Sequence, residues 1–402
     1  MRGEREALLR PAVWMILIST FLDMMAMGIV MPVLPGLIEG LTGSVSAAGR
    51  WVGVIGGLWA LMQFVCAPVI GGLSDHFGRR RVILISTAGL ALDWVLMALA
   101  PNLWWLVVGR IIGGITAASG TALFAYVADV TQPEDRARAF GLVGAVASAG
   151  FVLGPALGGL FGAWSPRLPF WVAAGLSAAA FLYGLFVLPE SLPPERRRAF
   201  SWGRAHPIAA LGLLRSHGEL IGLALSGFLL TFSHRLFMTV FVLFAAHRHG
   251  LGTFEVGALL AFSSVLDLTV QGALVGPATA RFGERRITVV GLLGGAFSLL
   301  AMGFAPTVLW FVLAFIPTSL LGLAEPTIKS MMSRRVPETE QGQLQGAIQT
   351  AASIAGITGP LFFGWVYGWS NLTIPGLSFA LAAAILFAAA LLSATARRTH
   401  ES

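Results

Sequence analysis

Cysteine is almost missing from this chain. The single Cys66 among 402 residues leaves no partner for an internal disulfide and rules out a metal site built from thiolates. Charge is scarce too: 11% of residues are Asp, Glu, Lys or Arg, against about 25% in soluble domains. Polar stretches are short except for one, near residues 189–218, so no soluble domain large enough for a catalytic or sensory module is encoded. There are no paired catalytic histidines, no zinc-ligand motif and no activated serine. Bond chemistry, a resident metal and a bound cofactor are therefore not expected.

Hydrophobic residues are abundant, at 56%. Apolar stretches of about 20 residues, the length that crosses about 30 Å of hydrocarbon, fall near 12–34, 51–72, 82–100, 103–127, 139–163, 169–188, 218–245, 254–279, 287–305, 308–331, 343–369 and 373–396. None shows the short alternating segments of a membrane barrel, so the twelve spans are predicted to be helices. The first span is too long for the apolar region of a signal peptide, lacks a small-residue cleavage site after it, and is expected to remain as helix 1.

Basic residues set the orientation, because cytoplasmic loops retain them. One side holds 20 of the 26 cations: Arg2, Arg5, Arg10, Arg79 to Arg81, Arg136, Arg138, Arg196 to Arg198, Arg204, Arg215, Arg281, Arg285, Arg286, Arg334, Arg335, Arg397 and Arg398. The other side holds Arg50, Arg167 and Arg248. Both termini are therefore expected in the cytoplasm of a bacterial inner (plasma) membrane. The formal charge of +7 follows the loops and forms no single patch, which argues against nucleic acid as a partner.

Between the second and third spans the chain reads Gly71-Gly72-Leu73-Ser74-Asp75-His76-Phe77-Gly78-Arg79-Arg80-Arg81, following a span that ends near Pro68. A worn copy, Gly276-Pro277-Ala278-Thr279-Ala280-Arg281-Phe282-Gly283-Glu284-Arg285-Arg286, starts 205 residues later. Gly154-Pro155 with Gly159 returns at the same offset as Gly359-Pro360 with Gly364, and the glycine expected in a loop, Gly141, returns as Gly346. One six-helix unit is written twice. This gives an all-α polytopic protein with two pseudo-symmetric bundles: residues 1–190, a linker at 191–217 holding Pro193-Pro194 and Trp202 with a short surface helix, and residues 218–402.

At these residues the chain resembles the major facilitator superfamily, within it the drug:proton antiporters, and among those the bacterial tetracycline exporters. The likeness also rests on Leu22-Asp23 through Gly28 to Met31-Pro32-Val33-Leu34-Pro35, Ala60-Leu61-Met62-Gln63-Phe64, Gly109-Arg110-Ile111, Tyr126-Val127-Ala128-Asp129, Gly154-Pro155-Ala156-Leu157-Gly158-Gly159, and Gln341-Gly342-Gln343-Leu344-Gln345-Gly346. It implies the major facilitator fold and a cytoplasmic clasp in which Asp75 meets helix 11 and Arg79 or Arg80 pairs near Asp129, with Gly71 and Gly78 serving the turn. Physically, glycines permit a tight turn, Asp75 is of the type that accepts backbone N–H groups at a helix start, and Gly154, Gly158 and Gly159 let helices approach while Pro155 bends helix 5.

Apart from Glu219 and Glu255 in the first turns of their spans, seven Asp, Glu, Lys or Arg residues fall inside predicted spans: Asp23, Asp93, Arg110, Arg235, Asp267, Glu325 and Lys329. Exposing them all to lipid would cost roughly 20 kcal/mol at about 2.5–3.5 kcal/mol each, more than the margin of a typical fold, so an interior is expected to hold them. Lys329 lies near a helix end and can also snorkel to water. A buried carboxylate holds its proton more tightly and a nearby cation reverses this, so its protonation can report which side is open. Asp23, Asp93, Asp267 and Glu325 are the expected proton-coupling residues, with Arg110 as a counter-charge. Arg110, Gln63, His234, Arg235 and Gln271 are the expected substrate contacts. Trp59, Phe64, Trp94, Phe237 and Phe241 are suited to stacking on a planar compound, although packing or lipid contact is the ordinary use of such rings.

The second half departs from the exporters. Gly295 stands where they carry an aspartate in helix 9, Asp267 stands where they carry a histidine in helix 8, and His234-Arg235 and Glu325 with Lys329 are additional; Gln271 does match. Glu325 and Lys329 sit four apart, a spacing that brings a pair together on one helix face. The expectation is a proton-coupled antiporter that acts as a monomer, driven by the proton gradient, exporting a small amphiphilic drug such as tetracycline. A different zwitterion, an acid or a metal-bound compound also suits such charges. The rivals are a proton-coupled nutrient symporter and a sensor or scaffold that kept the fold.

Overall fold

A computed structural model describes residues 11–118, 120–198, 200 and 209–395. The terminal arginines Arg2, Arg5, Arg10, Arg397 and Arg398, and the linker's Trp202 and Arg204, lie outside the described residues. Among the described residues, twelve helices are long and apolar enough to span a membrane. They are α1 Pro11–Val30, α2 Val45–Phe77, α3 Arg79–Leu99, α4 Leu103–Val130, α5 Arg136–Trp164, α6 Leu168–Val187, α7 Ile221–Thr239, α8 Thr253–Phe282, α9 Glu284–Gly303, α10 Val308–Ser333, α11 Gln341–Ser370 and α12 Leu377–Thr395.

Helix boundaries repeat with the 205-residue offset because the local chemistry repeats. Gly78, at φ +99°, is the single residue between α2 and α3, and Gly283, at φ +81°, separates α8 from α9. Only glycine takes that backbone region without strain. Asn102 starts α4 by accepting the Trp104 N–H at 3.1 Å, and Thr307 starts α10 by accepting the Trp310 N–H at 3.3 Å.

Several expected loops are helical. α2 runs through Pro68 to Phe77, so nearly all of the Gly71 to Arg81 phrase is helix and the turn is Gly78 alone. Gly141 and Gly346 likewise sit inside α5 and α11. A proline inside a helix removes one N–H bond, and packing outweighs that loss here. Among the described residues of the linker there are short 3-10 turns at Pro194–Arg196 and Ala209–Gly212 and one α-turn at Leu213–Ser216, and a further 3-10 turn at Gly218–Leu220 leads into α7.

The chain divides into two compact units that cut across the sequence halves. Unit 1 comprises Met1–Leu41, Leu58–Pro207 and Gly252–Ala261; unit 2 comprises Thr42–Gly57, Ile208–Leu251 and Phe262–Ser402. Glycine makes these memberships possible. Within unit 1, a Cβ on Gly159 of α5 would stand 3.0 Å from the Gly257 Cα of α8. Within unit 2, a Cβ on Gly364 of α11 would stand 2.9 Å from the Gly53 Cα of α2. Backbones in such contact admit no side chain.

The same rule shapes the α1–α5 crossing in unit 1. A Cβ on Gly28 would sit 2.9 Å from the Gly154 Cα, and one on Gly158 would overlap the Ile29 carbonyl. Gly158→Val is therefore expected to force α1 and α5 apart and to destabilise the protein by about 1–3 kcal/mol, read as a lower unfolding temperature in detergent. Gly141→Val, at a glycine with nothing within 4 Å of a built Cβ, is the control and should be near neutral.

In unit 2 a column of rings fills the interior between α7, α10 and α12. Phe241 stacks on Phe315 at 5.2 Å, Phe237 meets Phe315 at 5.9 Å, and Phe244 meets Phe379 at 4.5 Å between ring centres. Phe237 and Phe241 are thus packing residues.

Candidate functional site

Unit 1 encloses a cavity of about 270 Å³ whose polar lining includes Thr20 and Asp23 of α1, Gln63 of α2, Arg110 of α4 and Ser177 of α6. Trp59 and Trp94 form part of its apolar wall. Apolar walls with a few convergent polar groups are the usual make-up of a small-molecule site. Three of the polar atoms are buried without a hydrogen-bond partner: Thr20 Oγ1, Asp23 Oδ1 and Ser177 Oγ. Leaving one buried polar group unsatisfied costs about 1–3 kcal/mol. Three facing one cavity mark it as a place kept for use. Thr20 and Ser177 were not legible in the sequence, where a lone hydroxyl in an apolar span carries no signal.

Asp93 lies against the cavity's arginine. Its side chain is fully buried, and it fits only because α4 offers Gly109 and Gly113 opposite it; a Cβ on Gly109 would stand 2.9 Å from Asp93 Oδ1. Arg110 Nη2 is 3.3 Å from Asp93 Oδ2, yet neither carboxylate oxygen has a hydrogen-bond partner. The guanidinium instead lies over the Trp94 ring, 4.6 Å from its centre, and donates to Met97 Sδ from Nε at 2.9 Å and from Nη2 at 2.7 Å. The pair is electrostatic, in a setting where stacking holds the cation in place.

At the basic end of unit 1, Arg79 ties three elements together. Its Nη1 is 2.5 Å from Asp75 Oδ1, its Nε is 3.3 Å from Asp129 Oδ2, and its Nη1 donates to Ser74 Oγ at 2.6 Å. Arg80 takes a different partner set, donating to the carbonyls of Leu188 at 2.6 Å and Leu185 at 2.7 Å at the end of α6. The helix-start role expected of Asp75 belongs to Glu190. Its Oε1 accepts the Arg79 N–H at 2.8 Å and the Arg80 N–H at 3.4 Å, because Asp75 lies in the last turn of α2, before the turn. The available signal for Glu190 was an acid placed directly after Pro189 at the end of a span. Glu190→Ala should cost about 0.5–2 kcal/mol, as loss of a helix cap does, measurable by thermal unfolding.

Unit 2 holds its charges differently. Lys329 Nζ donates to Glu325 Oε1 at 2.6 Å on α10. His234 and Arg235 of α7 lie within electrostatic reach of Glu325, and Gly359 of α11 leaves room for the Arg235 stem, which would be 2.8 Å from a Cβ there. Asp267 and Gln271 of α8 run past Gly322 of α10, where a Cβ would meet Gln271 Cγ at 3.2 Å. Asp267 is half-buried. Gly295 is buried against α10, and a Cβ there would run into Leu321, so α9 presents no side chain at that point.

α8 is irregular beside these residues. Its turn Val270–Leu274, which contains Gln271, is a π-helix flanked by α-helix on both sides. Such turns mark functional sites more often than chance would place them there.

Comparison with known proteins places this geometry among transporters. The family model of the Major Facilitator Superfamily matches residues 16–275 and 223–402. The class C tetracycline resistance protein of Escherichia coli is 40% identical over 381 residues, covering 93% of this chain and 94% of that protein. The class E tetracycline resistance protein of Escherichia coli is 34% identical and covers 90% of each chain. Among solved structures, the nucleoside transporter NupG shares the fold with a TM-score of 0.79 at 14% identity, covering 95% of this chain and 98% of that one.

Proposed function

This chain belongs to the Major Facilitator Superfamily, and from that premise we propose that it exports tetracycline, or a similar amphiphilic antibiotic, in exchange for protons. The relatives quoted above support the substrate class. The unit 1 cavity carries the reading, because Asp23, Thr20 and Ser177 bring unpartnered polar atoms into one space beside Arg110.

The roles proposed for individual residues follow from their surroundings. Asp23 and Asp93 have buried oxygens that meet no hydrogen-bond donor, so each can change protonation as water gains or loses access to it. Asp267 is proposed as the acid of unit 2. Gln63 and Arg110 contact substrate in unit 1, and His234, Arg235 and Gln271 do so in unit 2. Tetracycline travels free or as a metal chelate. The pairing of Glu325 with Lys329 supports a different role, taken up below.

Gating is proposed for the Asp75–Arg79–Asp129 cluster, with Gly78 as its turn, Gly71 in the helix that leads to it and Arg80 tying it to the end of α6. Charge-assisted contacts of this kind form and break as units. Gly154, Pro155, Gly158 and Gly159 hold α5 close to its neighbours and keep the leak path shut. The basic loops support a bacterial inner-membrane location with both termini in the cytoplasm, and a single chain with both halves supports a working monomer.

Inverted membrane vesicles provide the test. Adding tetracycline should move protons in the wild type and should do so at least about tenfold more slowly in Asp23→Asn, the size of effect expected for one lost charged contact. Unchanged substrate-dependent proton movement in the Asp23→Asn, Asp267→Asn double variant would reject these acids as the coupling sites.

A further inference from the structure

Unit 2 has a cavity of its own, about 110 Å³, between α7, α10 and α11. Part of its lining is related to that of the unit 1 cavity by the offset of the internal repeat. Asp23, Gly120, Phe124 and Gly144 line the first, and the positions 205 further on, Phe228, Glu325, Lys329 and Gln349, line the second. Leu123 with Ile328, and Val143 with Ile348, are apolar in both. The duplication has kept the hollow and exchanged its chemistry. The acid on the first helix of the unit has become an aromatic ring, and two apolar or empty positions on the fourth have become a carboxylate and an ammonium.

We propose that this cavity is a second ligand site, which takes the charged end of a zwitterionic amphiphile. The proposal deepens the efflux reading and rests on it for the identity of the substrate. Glu325 and Lys329 stand at the mouth, with 60% and 45% of their side chains exposed. An exposed pair on one helix face is not fixed by packing around it, so an incoming ligand can separate the two charges and take each as a partner. A cationic amine finds Glu325, and an acidic oxygen finds Lys329. Thr231 and Gln349 supply neutral hydrogen-bonding groups, and Phe228 supplies a ring face for a planar skeleton. Leu214, from the short α-turn of the linker, closes part of the wall. The volume suits one end of such a molecule, with the remainder lying across the open side.

The site can be read by labelling. In the full-length chain carrying Cys66→Ser and Ala351→Cys, the maleimide labelling rate at position 351 is followed with three probes: tetracycline, octyl sulfobetaine as a simple zwitterion, and octyl glucoside as an uncharged amphiphile. Tetracycline transport by the same protein in vesicles is measured alongside. Both zwitterions should slow labelling about tenfold or more, as one charge-assisted contact would, and octyl glucoside should not. Glu325→Gln with Lys329→Met should abolish the protection, and an unchanged unfolding temperature shows the variant to be folded. Protection by the sulfobetaine without protection or transport of tetracycline would keep the site and reject the substrate. Tetracycline transport with no protection by either zwitterion, or equal protection by octyl glucoside, would overturn the proposal.

Discussion

Arg110→Ala is expected to be among the most damaging single substitutions in unit 1, lowering stability by about 3–5 kcal/mol, the usual result of leaving one member of a buried ion pair alone. Asp93 is fully buried and has no hydrogen-bond donor on either oxygen among the described residues. Its compensation comes from the guanidinium 3.3 Å away. Truncation also removes the cation from the Trp94 face and leaves Met97 Sδ without its donor. Combining Arg110→Gln with Asp93→Asn removes both charges and should recover most of the loss, because two neutral groups of similar shape need no counter-charge. Transport should not recover. Thermal unfolding in detergent and growth on tetracycline separate the two effects: a stable but inactive double variant is the expected pair of results. An Arg110→Ala protein as stable as the wild type would show that Asp93 does not depend on this arginine.

Much of this architecture could be read from the chain because the membrane imposes one-dimensional rules. Span length, the bias of arginine between loops and the 205-residue echo each leave a mark in sequence, and all twelve helices stand near the stretches expected. The hairpin's end was misjudged for a physical reason. Gly71, Gly72 and Ser74 are turn formers in soluble proteins, yet α2 continues past them because Ser74 donates to the Gly71 carbonyl and Arg79 reaches back to Asp75 and Ser74. Ser177 carries no signal in the sequence, and Glu190 only its place after Pro189, for another reason. Their roles depend on which distant backbone or cavity they meet, and no local spacing encodes that. The division into units was equally hidden, since it follows from Gly53 against Gly364 and Gly159 against Gly257, contacts between elements far apart in sequence. Glu325 and Lys329 lie at the opposite extreme: a four-residue spacing on a helix was enough to anticipate their pairing.

Removing one residue from the π turn of α8 should leave a folded protein that no longer transports. The two glycine crossings give the reason. Gly159 and Gly364 are 205 residues apart, as are Gly71 and Gly276, whereas the glycines they approach, Gly53 and Gly257, are 204 apart. α8 therefore carries one more residue between its crossing glycine and Gly276 than α2 carries between Gly53 and Gly71, and the π turn at Val270–Leu274 is where that residue is absorbed. A π turn is an α-helix with one residue added. Deleting Ala273 should restore continuous α-helix, with hydrogen bonding at least as good as before; because the wide turn absorbs the added residue, the chain beyond it keeps its place relative to Gly257 and the change is confined to the turn itself. Gln271, which lies in that turn, would then no longer keep its present relation to Asp267 and to Gly322. Displacements of about 1 Å at working sites cost about a hundredfold in rate, so tetracycline efflux should fall by at least that order while the unfolding temperature holds. Inserting an alanine after Val275 in the deleted protein restores the residue count and moves the irregular turn towards the hairpin. Recovery of efflux in that variant would mean that the added residue serves wherever it sits, and continued loss would assign the function to the wide turn beside Asp267. Full activity in the simple deletion would show that the added residue has no part in transport.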